Sequence, residues 1–258
     1  MAEVVIGTSG YSYHEWVGQV YPEGTKASDY LSCYSGLFPT VELNFSYYQM
    51  PKAQSLSKML DDGGAKLSFS IKAHKTLTHE VNPSLWEAEA KAYLTAIEPM
   101  LEAGRLEAVL FQFPYSFHYT PENRRYLDKL LAYFKGVPSA VEFRTADWCI
   151  TKVIEGMKSR EVPLISLDMP DLKGLPPTID VVTAPVAYIR LHGRNKEAWW
   201  GQDDHARYDY LYTDREIEAL AARIKRIMEQ AQRVLVFFNN HPFGKAVRNA
   251  QTLAKMLN

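Results

Sequence analysis

Short apolar runs recur along the chain, and in several of them polar side chains occupy alternate positions. One example is Ala140-Val141-Glu142-Phe143-Arg144. Because successive side chains of a strand point to opposite faces, Glu142 and Arg144 share one face, while Val141 and Phe143 share the other. The same phasing recurs in residues 41–44, 69–74, 165–168 and 189–192. The pattern predicts strands with one apolar and one polar face.

Eight strands and six helices are predicted, and they alternate along most of the chain. The strands are residues 4–8, 40–44, 66–72, 108–113, 139–144, 163–168, 187–192 and 233–239. The helices are residues 53–60, 85–101, 121–134, 151–159, 214–230 and 245–257. This order predicts an α/β fold, a single closed TIM-like (β/α)8 barrel of parallel strands, with its site at the carboxyl ends of the strands. The connections after the first and sixth strands are irregular.

A doubly wound open sheet is the alternative topology, and the first loop argues against its nucleotide-binding form. Such sheets usually carry a GxGxxG turn after the first strand, and the chain has Gly7-Thr8-Ser9-Gly10 instead. The sequence therefore contains no nucleotide-cofactor motif.

Length and composition fit one globular domain spanning residues 1–258. There is no long apolar segment and no secretory leader, which predicts a cytoplasmic protein without a membrane partner. The two cysteines, Cys33 and Cys149, are too far apart in sequence to form a zinc motif, and a disulfide framework has no support. The formal net charge of −1 excludes a global basic field, so any anion binding must be local.

Charged side chains on the predicted inward faces are the candidates for catalysis. A carboxylate and a guanidinium inside a barrel must pair with each other or meet a ligand, as Glu142 and Arg144 would. Glu42 lies on another strand, so the two carboxylates could act as acid and base. Together with His192 and Asp168 they could instead hold a divalent metal ion, and the sequence leaves that open.

Lys72 joins Glu142, Glu42, His192 and Asp168 as a catalytic candidate. Its role has two interpretations. A lysine inside a barrel either anchors an anion or, with a lowered pKa, acts as a Schiff-base nucleophile. The arginines favour the first interpretation, because a mouth that contains several guanidinium groups would gather negative charge. The predicted ligand-binding residues are Ser9, Tyr11, Asn44, Gln112, Arg144, Arg190, Arg194, Asn239 and Asn240.

Aromatic residues follow several predicted strands. As a group they could form a stacking wall for a base or a sugar ring, although any one of them could instead pack a loop over the barrel. They are Tyr11, Tyr13, Trp16, Trp148, Trp199 and Trp200.

Ordered blocks over nearly the whole chain resemble the YecE-like family, a domain of unknown function (family 72). The opening Gly7-Thr8-Ser9-Gly10-Tyr11-Ser12-Tyr13 carries the resemblance, with Tyr11 where the family usually has tryptophan. Further blocks are Val41-Glu42-Leu43-Asn44, Phe111-Gln112-Phe113-Pro114, Val141-Glu142-Phe143-Arg144, Ile189-Arg190-Leu191-His192-Gly193-Arg194 and Phe237-Phe238-Asn239-Asn240. The resemblance implies a β/α barrel similar to those of endonuclease IV and xylose isomerase-like proteins, with no established activity.

Three functions agree with these observations. The first is a hydrolase or lyase acting on a phosphate-bearing or nucleic-acid-like substrate. The second is an isomerase or aldolase-like enzyme for a sugar or sugar phosphate, and the third is a non-catalytic protein that binds an anion. Each predicts a small anionic or phosphate-bearing ligand. Nucleic acid is compatible with the fold analogy, but the net charge does not favour it.

Overall fold

Strands and helices alternate through the computed structural model, which describes residues 2–201 and 203–257. The strands are β1 (Glu3–Ser9), β2 (Thr40–Leu43), β3 (Ser68–Lys72), β4 (Leu106–Gln112), β5 (Ser139–Glu142), β6 (Ser166–Asp168), β7 (Val186–Leu191) and β8 (Arg233–Phe238). The helices are α1 (Tyr30–Ser35), α2 (Phe45–Tyr48), α3 (Ala53–Asp62), α4 (Trp86–Glu102), α5 (Pro121–Tyr133), α6 (Thr151–Ser159), α7 (Asp204–Tyr208), α8 (Asp214–Met228) and α9 (Lys245–Leu257).

The eight strands are parallel and form one sheet in the order β5-β4-β3-β2-β1-β8-β7-β6. A short bridge between Val141 and Leu164 joins the two ends of this order. There the Val141 N–H donates to the Pro163 carbonyl, and the Ile165 N–H donates to the Val141 carbonyl, each at 2.9 Å. The predicted TIM-like barrel is therefore confirmed.

Two separate apolar clusters follow from the alternation of side chains along the strands. One lies inside the barrel and includes Val5, Leu110, Ala140, Leu235 and Phe237. The larger one fills the space between the outer face of the sheet and the helices. Inward positions of β4, β5, β7 and β8 are apolar or aromatic along most of the strand and become polar at its carboxyl end, which concentrates polar groups at the mouth.

The sixth strand begins later than its sequence pattern predicts. Pro163 has no N–H to donate, and the Leu164 N–H donates to the Thr183 hydroxyl at 2.8 Å. The same hydroxyl donates to the Val162 carbonyl at 2.7 Å. The irregular connection between β6 and β7 thus folds back and satisfies backbone groups that a longer strand would have paired.

Helices α5 and α8 both begin at side-chain caps. Thr120 accepts a hydrogen bond from the Asn123 N–H ahead of α5, and Thr213 forms a reciprocal capping box with Glu216 at α8. The connection after β1 is irregular up to the short helix α1, as expected. Among the described helices, none combines the length and apolarity needed to cross a membrane.

Candidate functional site

The mouth collects inward-facing side chains from six neighbouring strands. Because inward positions recur every second residue, β5 contributes Glu142 and, just beyond its end, Arg144. In the same way, β7 contributes Arg190 and, just beyond its end, His192. The other strands contribute Glu42 (β2), Lys72 (β3), Gln112 (β4) and Asn239 (after β8).

Arg190 is the centre of a buried ionic network. Its Nη1 donates to Oε2 of Glu142 at 2.5 Å, and its Nη2 donates to Oε1 of Glu42 at 2.7 Å. The Tyr188 hydroxyl donates to the other oxygen of Glu42, at 2.7 Å. All four side chains are buried. The arginine therefore compensates two carboxylates that could not remain ionised alone in this interior.

Glu142 is held ionised from a second side as well. Arg144 pairs with its Oε1 through Nε, and His192 Nε2 lies 3.6 Å from the same oxygen. Burial alone would raise the pKa of Glu142, but Arg144 and Arg190 together hold that pKa well below its ordinary value. This carboxylate is consequently a weak proton acceptor at neutral pH.

His192 is a buried, neutral imidazole. Burial, and then the charge of Arg144, lower the pKa of His192 to about 3. The Asn239 amide lies 3.0 Å from its Nδ1. Donation by that amide leaves the ring hydrogen on Nε2, which faces Glu142. His192 is therefore a neutral ring whose Nε2 lies near the carboxylate without a hydrogen bond to it.

Lys72 differs from the other charged groups at the mouth. Its Nζ lies 4.1 Å from the centre of the Tyr47 ring, and within the described residues it forms no ion pair or hydrogen bond. Burial, followed by the charges of Arg190 and Arg144, lowers the pKa of Lys72 to about 7. Both the charged and the neutral form of the Lys72 amine are therefore populated near physiological pH.

These groups lie at the base of a cavity of about 950 Å³ at the carboxyl ends of the strands. Its base is cationic, with Lys72, Arg144 and Arg190, while its walls are largely aromatic. The cavity lining includes seven of the predicted site residues, namely Tyr11, Asn44, Lys72, Gln112, Arg144, Arg190 and Asn239. Glu42, Glu142 and His192 are fully buried and make contacts with those residues.

Asp168 and Arg194 lie elsewhere, in a network of their own. Ile165 and Leu167 face the barrel interior, so Asp168 points outward, toward α8. Arg194 donates to both oxygens of Asp168, at 2.9 and 2.7 Å, and to Glu216 at 3.0 Å. These bonds engage the guanidinium, and they anchor the loop after β7 to the barrel.

Two further predicted residues do not line the cavity themselves, and each has a structural partner. The Asn240 amide donates to the Tyr210 carbonyl at 2.8 Å and to Asn249 at 2.9 Å. Ser9 is buried, and its carbonyl accepts a hydrogen bond from the Tyr13 hydroxyl at 2.8 Å. Ser9 therefore orients a ring of the cavity wall through its backbone.

The four residues that could have held a metal ion do not form one common site. Glu42 and Glu142 both pair with Arg190, and Asp168 faces α8 rather than the mouth. Within residues 2–201 and 203–257, no group of three or more histidine, cysteine, aspartate or glutamate side chains is arranged to hold a metal ion. The residues present at the mouth do not fit the metal site that the sequence left open.

Sequence reasoning missed several residues of the wall. Tyr47, Tyr115, Arg207, Tyr208 and His241 all line the cavity. Their positions in the sequence could have identified two of them, because Tyr47 and Tyr115 closely follow the predicted second and fourth strands. A barrel forms its site from these loops, so every aromatic residue in them was a candidate.

The pH dependence of stability should reveal the neutral His192. The unfolded chain protonates this histidine near pH 6.5, whereas its pKa in the folded protein is about 3. Stability is therefore full above pH 6.5 and falls by about 1.4 kcal/mol per pH unit below it. We expect urea titrations between pH 6.5 and 5 to show a shallower decline for His192→Gln than for the parent.

His14→Gln, at an exposed position, provides the matched control for that measurement. The two variants are compared by the slopes of their stability against pH, so that a difference in stability already present at neutral pH does not affect the result. An unchanged slope in His192→Gln would contradict a neutral imidazole in the folded protein.

Comparisons with known proteins agree with the fold. Residues 5–258 match the family described as protein of unknown function DUF72. UPF0759 protein YunF of Bacillus subtilis is 29% identical over 269 residues, covering 98% of this chain and 94% of YunF.

Two solved structures are similar over nearly the whole chain. A DUF72 family protein from Thermotoga maritima has a TM-score of 0.90 and 35% identity, with 99% of each chain covered. One from Enterococcus faecalis has a TM-score of 0.88 and 27% identity, covering 99% of this chain and 95% of that one. The chain therefore belongs to the DUF72 family, whose function is unknown.

Proposed function

We propose that this protein is a lyase that acts on a small anionic carbonyl compound, such as a sugar phosphate, and that the Lys72 amine is its nucleophile. One observation carries the proposal. Lys72 lies at the cationic base of the mouth cavity with its amine directed to the Tyr47 ring rather than to a carboxylate. An amine with a pKa of about 7 has a substantial neutral fraction, which nucleophilic attack requires.

The carboxylates support this choice because they are already engaged. Hydrolysis of a phosphate ester, the other reaction expected from the sequence, would use Glu142 as a base or as a metal ligand. Arg144 and Arg190 bind its two oxygens, and they hold its pKa well below the ordinary value. Lys72 is consequently the better candidate for gaining and losing a proton near neutral pH.

The chemistry follows from a neutral amine beside fixed cations. The Lys72 nitrogen attacks the substrate carbonyl carbon, and proton transfers then release the carbonyl oxygen as water and leave a protonated imine. In a substrate with a hydroxyl group on the second carbon from the imine carbon, that hydroxyl loses its proton to water and its carbon leaves as the carbonyl of an aldehyde, while the electron pair of the broken carbon–carbon bond moves into the imine and forms an enamine. Protonation of the enamine carbon and addition of water then release the second product and restore the Lys72 amine. Arg144 borders the cavity and would bind the phosphate or carboxylate of the substrate.

Reductive trapping tests the proposal. Borohydride converts an imine into a stable secondary amine, so incubation with glyceraldehyde 3-phosphate or dihydroxyacetone phosphate should add the substrate mass to one peptide. We expect the adduct on Lys72 at pH 7, and no adduct there in Lys72→Met or Lys72→Arg. Arg keeps the positive charge but lacks a nucleophilic amine.

The exposed Lys66 gives the matched control, because Lys66→Met should leave trapping unchanged. Adducts spread over exposed lysines, or equal trapping in Lys72→Arg, would overturn the assignment. If neither compound is trapped while phosphate still binds at the mouth, the site is a binding site rather than the active site of such a lyase.

A further inference from the structure

Two large aromatic side chains stand open at the rim of the mouth cavity. Trp200, in the loop after β7, is 56% exposed, and Tyr115, in the loop after β4, is 39% exposed. Their ring centres are 5.0 Å apart, and the planes meet at 76°. Both line the cavity. The two rings, which are nearly perpendicular, therefore present exposed apolar ring surface to whatever enters the mouth.

Two other tryptophans near the mouth, Trp148 and Trp199, are packed and do not offer such a surface. Trp148 is 1% exposed, and its ring stacks on those of Phe143 and Phe117. Trp199, next in sequence to Trp200, is 3% exposed. Packing over the barrel therefore explains Trp148 and Trp199, but it does not explain the exposed rings of Trp200 and Tyr115.

The opposite side of the cavity is also aromatic. Tyr47 and Tyr48 follow β2 in the short helix α2, and their ring centres are 4.9 Å apart. Both line the cavity, as does Phe45. Apolar rings at the rim thus surround a base that carries Lys72 and Arg144, so the cavity changes from apolar to cationic with depth.

We propose that the natural ligand joins an aromatic or heteroaromatic ring to an anionic group, with the ring against Trp200 and Tyr115 and the anion at Arg144. The inference rests on the proposed function, since it uses the same cavity and names the class of compound that fills it. An aromatic surface beside a flat ring gains stacking and apolar burial, whereas a bare sugar phosphate leaves that surface wet. A ring of this kind distinguishes the ligand from ordinary sugar phosphates.

Matched pairs of anions isolate the contribution of the ring. Adenosine 5′-monophosphate and methyl ribofuranoside 5-phosphate share a phosphate and a closed ribose that cannot form an imine, and phenyl phosphate and methyl phosphate share a phosphate. In calorimetric titrations we expect the ring-bearing member of each pair to bind about tenfold more tightly, the size of one stacked ring. Trp200→Leu should bring each ratio close to one, while Trp200→Phe should keep most of it.

Tyr133→Leu on α5 removes a similarly exposed ring far from the mouth and should leave both ratios unchanged. Equal affinity within each pair in the parent protein would overturn this inference while the anion site stands. Loss of phosphate binding for all four compounds would overturn the proposed function together with it. Binding of a single-stranded oligonucleotide, with none of adenosine 5′-monophosphate, would show that the rim takes a polymer instead.

Discussion

Replacing Arg190 with methionine is expected to lower the free energy of unfolding by about 3–5 kcal/mol, the usual result of stranding a buried charge. Arg190 donates to Glu42 at 2.7 Å and to Glu142 at 2.5 Å, and all three side chains are buried. Methionine fills similar space but supplies no charge. The variant must therefore bury carboxylates without their central partner, or protonate them.

Urea unfolding at pH 7 measures this loss of stability, and two further variants show whether it comes from the stranded charges. Arg160→Met removes an arginine whose pair with Asp128 is exposed, so it should change stability by less than about 1 kcal/mol. Combining Arg190→Met with Glu42→Gln and Glu142→Gln should recover part of the loss, because the stranded charges are gone. A loss below about 1 kcal/mol in Arg190→Met would mean that water or other groups compensate the carboxylates.

The alternation of polar and apolar residues was sufficient to predict most of the barrel. Regular alternation at residues 140–144 predicted that Glu142 and Arg144 share a face, and both do reach the mouth. The reason is that strands such as β5 and β7 cross from an apolar interior to an open end, so their inward residues change from apolar to polar there. The alternation of residues along each short segment was therefore enough to predict a closed sheet.

Alternation alone could not show which face of a strand points inward. Ile165-Ser166-Leu167-Asp168 has the same phasing as the other strands, yet Leu167 faces the interior and Asp168 faces α8. Partners distant in sequence decide this, since Tyr212 and Arg194 satisfy Asp168 from outside the barrel. The sequence predicted a polar side chain correctly and left its direction undetermined.

Pairing across the barrel was also beyond sequence reasoning. The hydrogen bond from the Tyr188 hydroxyl to Glu42 joins positions 146 residues apart. A sequence shows that Glu42 needs a partner if it is buried, but closure of the sheet determines which group supplies it. The same limit applies to the aromatic rim, because exposure separates Trp200 from its neighbour Trp199.

Lys72 is expected to titrate near pH 7, about three pH units below an ordinary exposed lysine. The neutral fraction of its amine at pH 7 is then about a thousandfold larger than that of an ordinary lysine. Competitive isotopic acetylation, with Lys66 as the exposed reference, should show labelling of Lys72 that rises about tenfold per pH unit below 7 and levels off above it.

Protonation of Lys72 should also make anion binding depend on pH, in the direction opposite to the acetylation of its amine. A bound sulfate, which unlike phosphate does not itself titrate near pH 7, stabilises the ammonium form of Lys72 and raises its pKa, so binding takes up a proton near neutral pH. Sulfate affinity should accordingly fall as pH rises through about 7, while imine trapping becomes faster over the same range. Calorimetry in two buffers with different ionisation enthalpies measures the proton uptake directly.

Arg144→Met tests whether a neighbouring positive charge, in addition to burial, lowers the pKa of Lys72. Arg144 is one of the two cations that lower the pKa of Lys72, so its removal should move the labelling curve to higher pH. It should also weaken phosphate binding, because the anion loses a guanidinium partner. If Lys72 labels like Lys66 in the parent protein, its amine is an ordinary ammonium at neutral pH, and its part in the cavity is limited to anchoring an anion.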